Sequence, residues 1–358
     1  MLVTMVPIAS IRERRAALHL LHLLHLLHPL LPLLCLALVL GSCSQSINPN
    51  QGYVRFSSYS SLVRNAGTST ASFAYPRGIA VDAAGNIFVV DSANSRIVEM
   101  GGISGTTSTV FPTALTPSGD YFSSPEGIAL DQTGNIWVAD SGQGRIVHLN
   151  TADWQTATPT FDFCDTVRVA GIGYALSLPT GLAFSGHYLY VTDPGVDFPG
   201  NTARVFKIDV GAPFPASNVA TGAAVFQSDS AHRLLWPRGI AVNPSGSKVY
   251  VSDEASYRIV MLDSALGGWT GLGTRGSGTG QFISPQTLAV DANDAIYVVD
   301  SANYWIVKMN DIGGSAWTTI GVQGGHEYDS VYPSWIAVGP AFNILVTDDV
   351  ADEIVELR

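Results

Sequence analysis

One unit recurs six times in this chain and limits what it can fold into. Its clearest copy runs Tyr75-Pro76-Arg77-Gly78-Ile79-Ala80-Val81-Asp82, then Gly85-Asn86-Ile87-Phe88-Val89-Val90-Asp91, then Arg96-Ile97-Val98. The second runs from Pro125-Glu126-Gly127-Ile128-Ala129-Leu130-Asp131 through Gly134-Asn135-Ile136-Trp137-Val138-Ala139-Asp140 to Arg145-Ile146-Val147. Looser copies begin at Pro179, Pro237, Pro285 and Pro333, so successive prolines stand 48 to 58 residues apart. A unit of that length buries its apolar faces by stacking on its neighbours, so the period decides the architecture before any local reading. Length alone would suggest two or three domains; six like units predict one closed repeat domain.

Each unit holds four short β segments. Gly78–Val81 carries small residues on one face, as an innermost strand needs where units crowd an axis. Ile87–Val90 is apolar on both faces, as befits a strand sandwiched between neighbours. Asp82–Asn86 is the tight connection between them. The third strand begins at Arg96, and the weakly patterned fourth precedes the next proline, as in Trp317–Ile320. Four-stranded units set around an axis make an all-β, six-bladed β-propeller. The composition agrees: 13% charged residues, 36 glycines and 46% hydrophobic residues suit a turn-rich chain with a large core. A net charge of -11 leaves no electrostatic footprint for a phosphate backbone, so no nucleic-acid partner is expected. The sixth unit stops at its third strand, Glu353–Arg358. The ring therefore needs an outer strand from the start of the domain, and Leu62–Arg64 is predicted beside Ile354–Leu357.

The unit resembles the NHL repeat. The run Gly276-Ser277-Gly278 through Gly280-Gln281-Phe282 to Pro285 is similar to that family's lead-in to a new blade. The resemblance spans roughly residues 53–358. It implies NHL-type blades but fixes function loosely, because such propellers serve as binding scaffolds, sensor domains and a few enzymes, lactonases and lyases among them.

Residues 1–42 read as a targeting segment. Arg12-Glu13-Arg14-Arg15 supplies a positive region, Leu18–Leu40 is almost wholly apolar, and Leu40-Gly41-Ser42-Cys43 follows at once. This resembles a bacterial lipoprotein signal, cleaved before Cys43, which then carries the lipid. The alternative is an uncleaved membrane anchor. Residues 43–52 form a polar tether. Ser44, where an aspartate would signal retention, implies the outer membrane by the same resemblance. His19, His22, His25 and His28 belong to a low-complexity Leu-Leu-His run and spiral around a helix, so they make no metal set. Cys35 leaves with the signal and Cys43 carries lipid, which leaves Cys164 alone, with no disulfide and no local activating base.

In a propeller the lead-in loops and the turns between strands two and three share one face, over the central channel. The residue after each blade proline comes to the channel mouth: Arg77, Glu126, Thr180, Arg238, Gln286 and Ser334. With six blades, Arg77 faces Arg238, Glu126 faces Gln286 and Thr180 faces Ser334. Two converging arginines could hold an anion, or each could pair with a nearby acid. Asp91, Asp140, Asp193, Asp253, Asp300 and Asp348 end the second strands, and each is read as a structural acceptor for the N–H groups of its own turn. Two places break the repeat. The blade-three turn expands through Asp193-Pro194-Gly195-Val196-Asp197-Phe198-Pro199-Gly200-Asn201, which makes Asp197 and Phe198 candidates for a binding loop. In blades five and six the arginine position becomes Trp305 and Glu353, and the glycine position becomes Thr287 and Trp335. With Tyr304 and Tyr332 nearby, Trp305 and Trp335 are candidates for an aromatic surface.

The leading expectation is a lipid-anchored, extracytoplasmic, monomeric propeller that binds a protein, peptide or glycan without catalysis and with no cofactor. The alternative is a metal-dependent lyase or lactonase with calcium or zinc at the channel. His148 and His187 fall away from the mouth, so the metal reading would rest on His232 and His326 together with Glu126, a thin donor set.

Overall fold

The computed structural model describes residues 62–63, 72–103, 108–111, 121–150, 161–195, 203–211, 219–229, 231–321 and 331–357. The signal segment, the tether and Cys43 lie outside them, as do Asp197, Phe198 and His326. Everything below belongs to the unit Tyr53–Arg358.

Six antiparallel sheets follow one another along the chain, and each begins near a repeat proline. Blade one is Pro76–Val81, Ile87–Asp91, Arg96–Met100 and Ser108–Val110. Blade two is Pro125–Leu130, Ile136–Asp140, Arg145–Leu149 and Phe161–Cys164. Blade four spans Pro237–Val242 to Thr270–Leu272 and blade five Pro285–Val290 to Thr318–Ile320. Blade six has Pro333–Val338, Ile344–Asp348 and Glu353–Leu357, and its fourth strand is Leu62–Val63, with Leu62 opposite Val355 and Val63 opposite Ile354. The closure read from the sequence is present. Blade three departs from the pattern. Beyond Leu182–Ser185, Tyr188–Asp193, Arg204–Asp209 and the long Val219–Gln227, its sheet adds a hairpin, Thr166–Val169 and Ile172–Ala175. The first hairpin strand runs parallel to Val219–Gln227.

The first strands of consecutive blades touch one another, and that of blade six touches that of blade one, so the ring is closed. Glycine makes this approach possible. A Cβ on Gly127 would lie 2.0 Å from the Thr180 carbonyl oxygen, and one on Gly78 would lie 2.4 Å from that of Glu126. The apolar residues of the second and third strands fill the six seams between blades. Val89 and Val98 meet Leu345 and Ile354 across the seam of blades one and six, and Val90 meets Val138 across the next.

The repeated aspartates are buried and structural, with different partners from those expected. In blades one, two, four and five their oxygens accept chiefly from the lead-in loop, as at Ala74 N (2.7 Å), Ser123 N (2.6 Å), Trp236 N (2.8 Å) and Ser284 N (2.7 Å). Arg96, Arg145 and Arg258 donate to the other oxygen at 2.6, 2.8 and 3.0 Å. Among the described hydrogen bonds, Asp193 and Asp348 also take backbone N–H groups of their own turn, from Gly195, Val350 and Ala351, while Asp91 and Asp300 take the side-chain amides of Asn94 and Asn303. Each carboxylate thus ties a lead-in loop to the turn between strands two and three and makes them one surface.

Candidate functional site

The mouth residues project because the first strand is bulged there. In blades one, two and four one extra residue enters the ladder between the proline and the isoleucine that follows, at Arg77-Gly78, Glu126-Gly127 and Arg238-Gly239. A bulge re-aims a side chain out of the ladder. Arg77 and Arg238 are nonetheless 93% buried, at 7% exposure each.

The structure joins some of the predicted residues and separates others. Arg238 reaches from blade four to Glu126 of blade two at 3.7 Å and holds Glu254 at 3.2 Å. Glu254 also accepts a bond from the Ser284 hydroxyl at 2.6 Å. Burial opposes the Arg238 charge, but Glu254 and then Glu126 outweigh it, so the guanidinium is held above its ordinary pKa. Arg77 pairs with Asp349 at 3.6 Å, lies 4.1 Å over the Tyr75 ring and donates to the Tyr75 hydroxyl. Glu126 therefore meets Arg238 and not Gln286. Of the two alternatives for the arginines, pairing with nearby acids is the one present: both are engaged, by three carboxylates against two guanidiniums. Thr180 and Ser334 are buried and tied to Thr192 and Thr347 of their own blades at 3.0 Å.

Glu254, Asp349 and Tyr75 were not among the predicted residues. Glu254 and Asp349 each follow a strand-two aspartate, where blades one, two and five have Ser92, Ser141 and Ser301. Ser141 and Ser301 donate to the carbonyls of Pro179 and Pro333 in the next blade. An acid in this serine column is thus a readable sign of a second set of mouth residues.

The aromatic surface is also corrected. Trp305 and Trp335 are buried in seams, at 5% and 6% exposure. In blades five and six the ladder resumes at the second residue after the proline, so Thr287 and Trp335 pair with Val299 and Thr347 where blades one, two and four have an unpaired glycine. The Trp335 ring ends 3.3 Å from the Cβ position of Gly127 in blade two, so it fills the channel. Tyr304 and Tyr332 are exposed instead, edge to face at 5.0 Å. Tyr304 stands in the left-handed conformation that closes the turn Ser301–Asn303. Tyr121, Leu235 and Val350 are exposed on lead-in loops and turns of the same face.

Two buried polar atoms at the mouth lack partners, Arg238 Nε and Gln286 Oε1, and Trp335 Nε1 lacks one in the channel. His232 is half-buried beside Asp229 at 3.5 Å. His148 lies in strand three against Trp137, and His187 in a turn of the opposite face. Among the described residues no three His, Cys, Asp or Glu side chains gather as a metal would require. Glu126, Glu254 and Asp349 offer oxygens, but each is turned onto an arginine, so these residues do not fit a divalent ion. Cys164 is buried, and burial pushes its thiol up to about 11, away from nucleophilic chemistry. No helix among the described residues is long and apolar enough to cross a membrane.

No curated protein matches this sequence. Solved structures share its fold at low identity. A gluconolactonase from Xanthomonas campestris is 16% identical, covering 80% of this chain and 86% of that one with a TM-score of 0.56. A virginiamycin B lyase from Staphylococcus aureus is 14% identical over 80% and 96%, with a TM-score of 0.52. A streptogramin B lyase is 13% identical over 81% and 95%, at the same score. The NHL repeat family matches residues 73–99 and 122–149, which are the first three strands of blades one and two with their lead-in loops. With its blades closed into a ring of six, this chain is a β-propeller that carries NHL repeats in its first two blades.

Proposed function

We propose that this propeller is a binding scaffold: it holds an extended peptide segment of a partner on its loop face, without catalysis, from a lipid anchor at the bacterial cell envelope. The observation that carries the reading is the placement of exposed apolar side chains. Tyr121, Leu235, Tyr304, Tyr332 and Val350 stand around a polar, charged mouth on one face. Apolar anchors about a polar centre suit a peptide, whose backbone needs hydrogen bonds and whose side chains need apolar contact. The lipoprotein-like run ending at Cys43 supports the envelope location. Panning a random dodecapeptide library against the chain tests the reading. It should enrich sequences whose binding drops about tenfold or more in a Tyr304→Ser, Tyr332→Ser double variant. A library that enriches nothing refutes it.

A second reading, a lactonase or lyase, is favoured by the enzymes that share the fold. It requires turnover of a lactone or a streptogramin that disappears in Glu126→Gln. The mouth as built, with its acids turned onto arginines, supports the first reading better.

A further inference from the structure

We infer that the face opposite the mouth carries a second binding site, independent of the peptide site: a cleft at the seam of blades two and three that takes one neutral sugar ring. The cleft holds about 390 Å³, toward the small end of the roughly 300–1,000 Å³ of small-molecule sites. Its floor is aromatic. Trp137 packs on the His148 imidazole at 4.2 Å and meets the Phe184 ring edge-on at 5.6 Å. Gln132 and Thr133 stand exposed on the blade-two rim and His187 on the blade-three rim. A Cβ on Gly211 would lie 3.3 Å from the His187 Cβ and Cδ2, so that glycine leaves the imidazole its place, 3.9 Å from Asp209.

The repeat is broken at this cleft in two ways. Ser185 pairs with Tyr188, so the loop between strands one and two of blade three is only Gly186 and His187. In the other five blades that loop has three or four residues, as between Asp82 and Asn86. Phe184 pairs with Leu189 at the ladder position that Val81, Leu130, Val242, Val290 and Val338 hold elsewhere. Five blades close with the longer loop and an aliphatic residue, so the ring itself calls for neither change. The lining then selects the ligand. Among the described residues no lysine or arginine lines the cleft and Asp131 does, which disfavours phosphates and carboxylates. Asp131 is not available to a cation either, because its oxygens already accept five bonds, from Thr133, Asn135 and Trp137. What remains is uncharged: an amide, a hydroxyl and an imidazole around an aromatic floor. A pyranose matches this pattern, with C–H groups on one face to lie on the rings and hydroxyls around its edge for the rim.

The methyl glycosides of glucose, galactose, mannose and N-acetylglucosamine, in both anomers and at millimolar concentration, test the site, with the imidazole resonances of His148 and His187 as readout. At least one glycoside is expected to shift both resonances. Phe184→Val restores the residue type of the other blades and should weaken that glycoside about fivefold, the value of an aromatic contact. Gln132→Ala makes the same comparison at an exposed position, where the fold is not at stake, and thermal unfolding checks both variants. No shift from any glycoside, or undiminished binding in both variants, overturns the inference. A shift from tetramethylammonium as large as that from the sugar also overturns it, because the rings would then be a cage for a cation. A peptide library that enriches nothing at the mouth leaves this cleft as it stands, so the two proposals fail separately.

Discussion

Asp140 and Asp300 hold the same place in blades two and five, yet their charges are balanced differently. Arg145 donates to Asp140 at 2.8 Å, whereas Trp305 occupies the arginine position beside Asp300, whose second oxygen takes the Asn303 amide at 2.7 Å and the Ile283 N–H at 3.2 Å but no guanidinium. Burial therefore raises the Asp300 pKa, against the pull of its N–H donors. Between the ordinary carboxylate value and that raised value, the folded chain holds more protons than the unfolded one, so stability should rise as pH falls through the window. Asp193 and Asp348 act in the same direction, with burial again the largest cause. Asp300→Asn should remove part of this acid-side gain in denaturant titrations across the window. Asp140→Asn leaves Arg145 short of its counter-charge and should instead lower stability at neutral pH by about 3 kcal/mol. An unchanged pH slope in Asp300→Asn would refute the assignment.

The turn between strands two and three is the element that varies most in use. In blades one, two, four and five a short helical turn ends on a left-handed residue, and Ser95, Gly144, Tyr257 and Tyr304 share this place. Glycine is the least strained of the four, and a tyrosine there gives up about 1–2 kcal/mol. Tyr304→Gly relieves that strain and loses the ring contact with Tyr332, worth about 1 kcal/mol. Its thermal stability should therefore stay within about 1 kcal/mol of the parent, while binding of the panned peptide falls. A large loss of stability would show that Tyr304 is there for the fold. The same turns explain what could be read from the sequence. Arg77, Glu126, Arg238 and Gln286 were legible because the repeat proline fixes where the next residue goes. Glu254 and Asp349 lie in a second column of the repeat, one residue beyond the strand-two aspartate, and were passed over. Trp335 was misplaced because a repeat position gives the backbone path and not the ladder register. Only the shifted bulge in blade six shows that the residue has rejoined the sheet. The hairpin of blade three has no counterpart in the repeat at all, so no periodicity could announce it.

At the scale of the ring, contact between first strands limits every substitution near the axis. Trp335 is the exception that proves how little room there is, since its ring reaches from blade six to Gly127 of blade two. Trp335→Ala should lower stability by about 3–5 kcal/mol through the cavity it leaves. Trp335→Phe removes an indole N–H that has no partner and should lower it much less. Equal losses in a urea titration would locate the effect in the N–H and not in the filling of the channel. The pairing of Leu62 with Val355 also sets an order of events in time. The strand synthesised first among those described has its partner almost three hundred residues downstream, so it waits, unlatched, until Glu353–Leu357 has left the ribosome. Five blades can zip up from local contacts as they emerge; the sixth cannot, and its long-range closure is the slow step of a topology like this one. A chain halted before Glu353 would be a row of blades with two open edges, ready to find each other on a neighbouring copy.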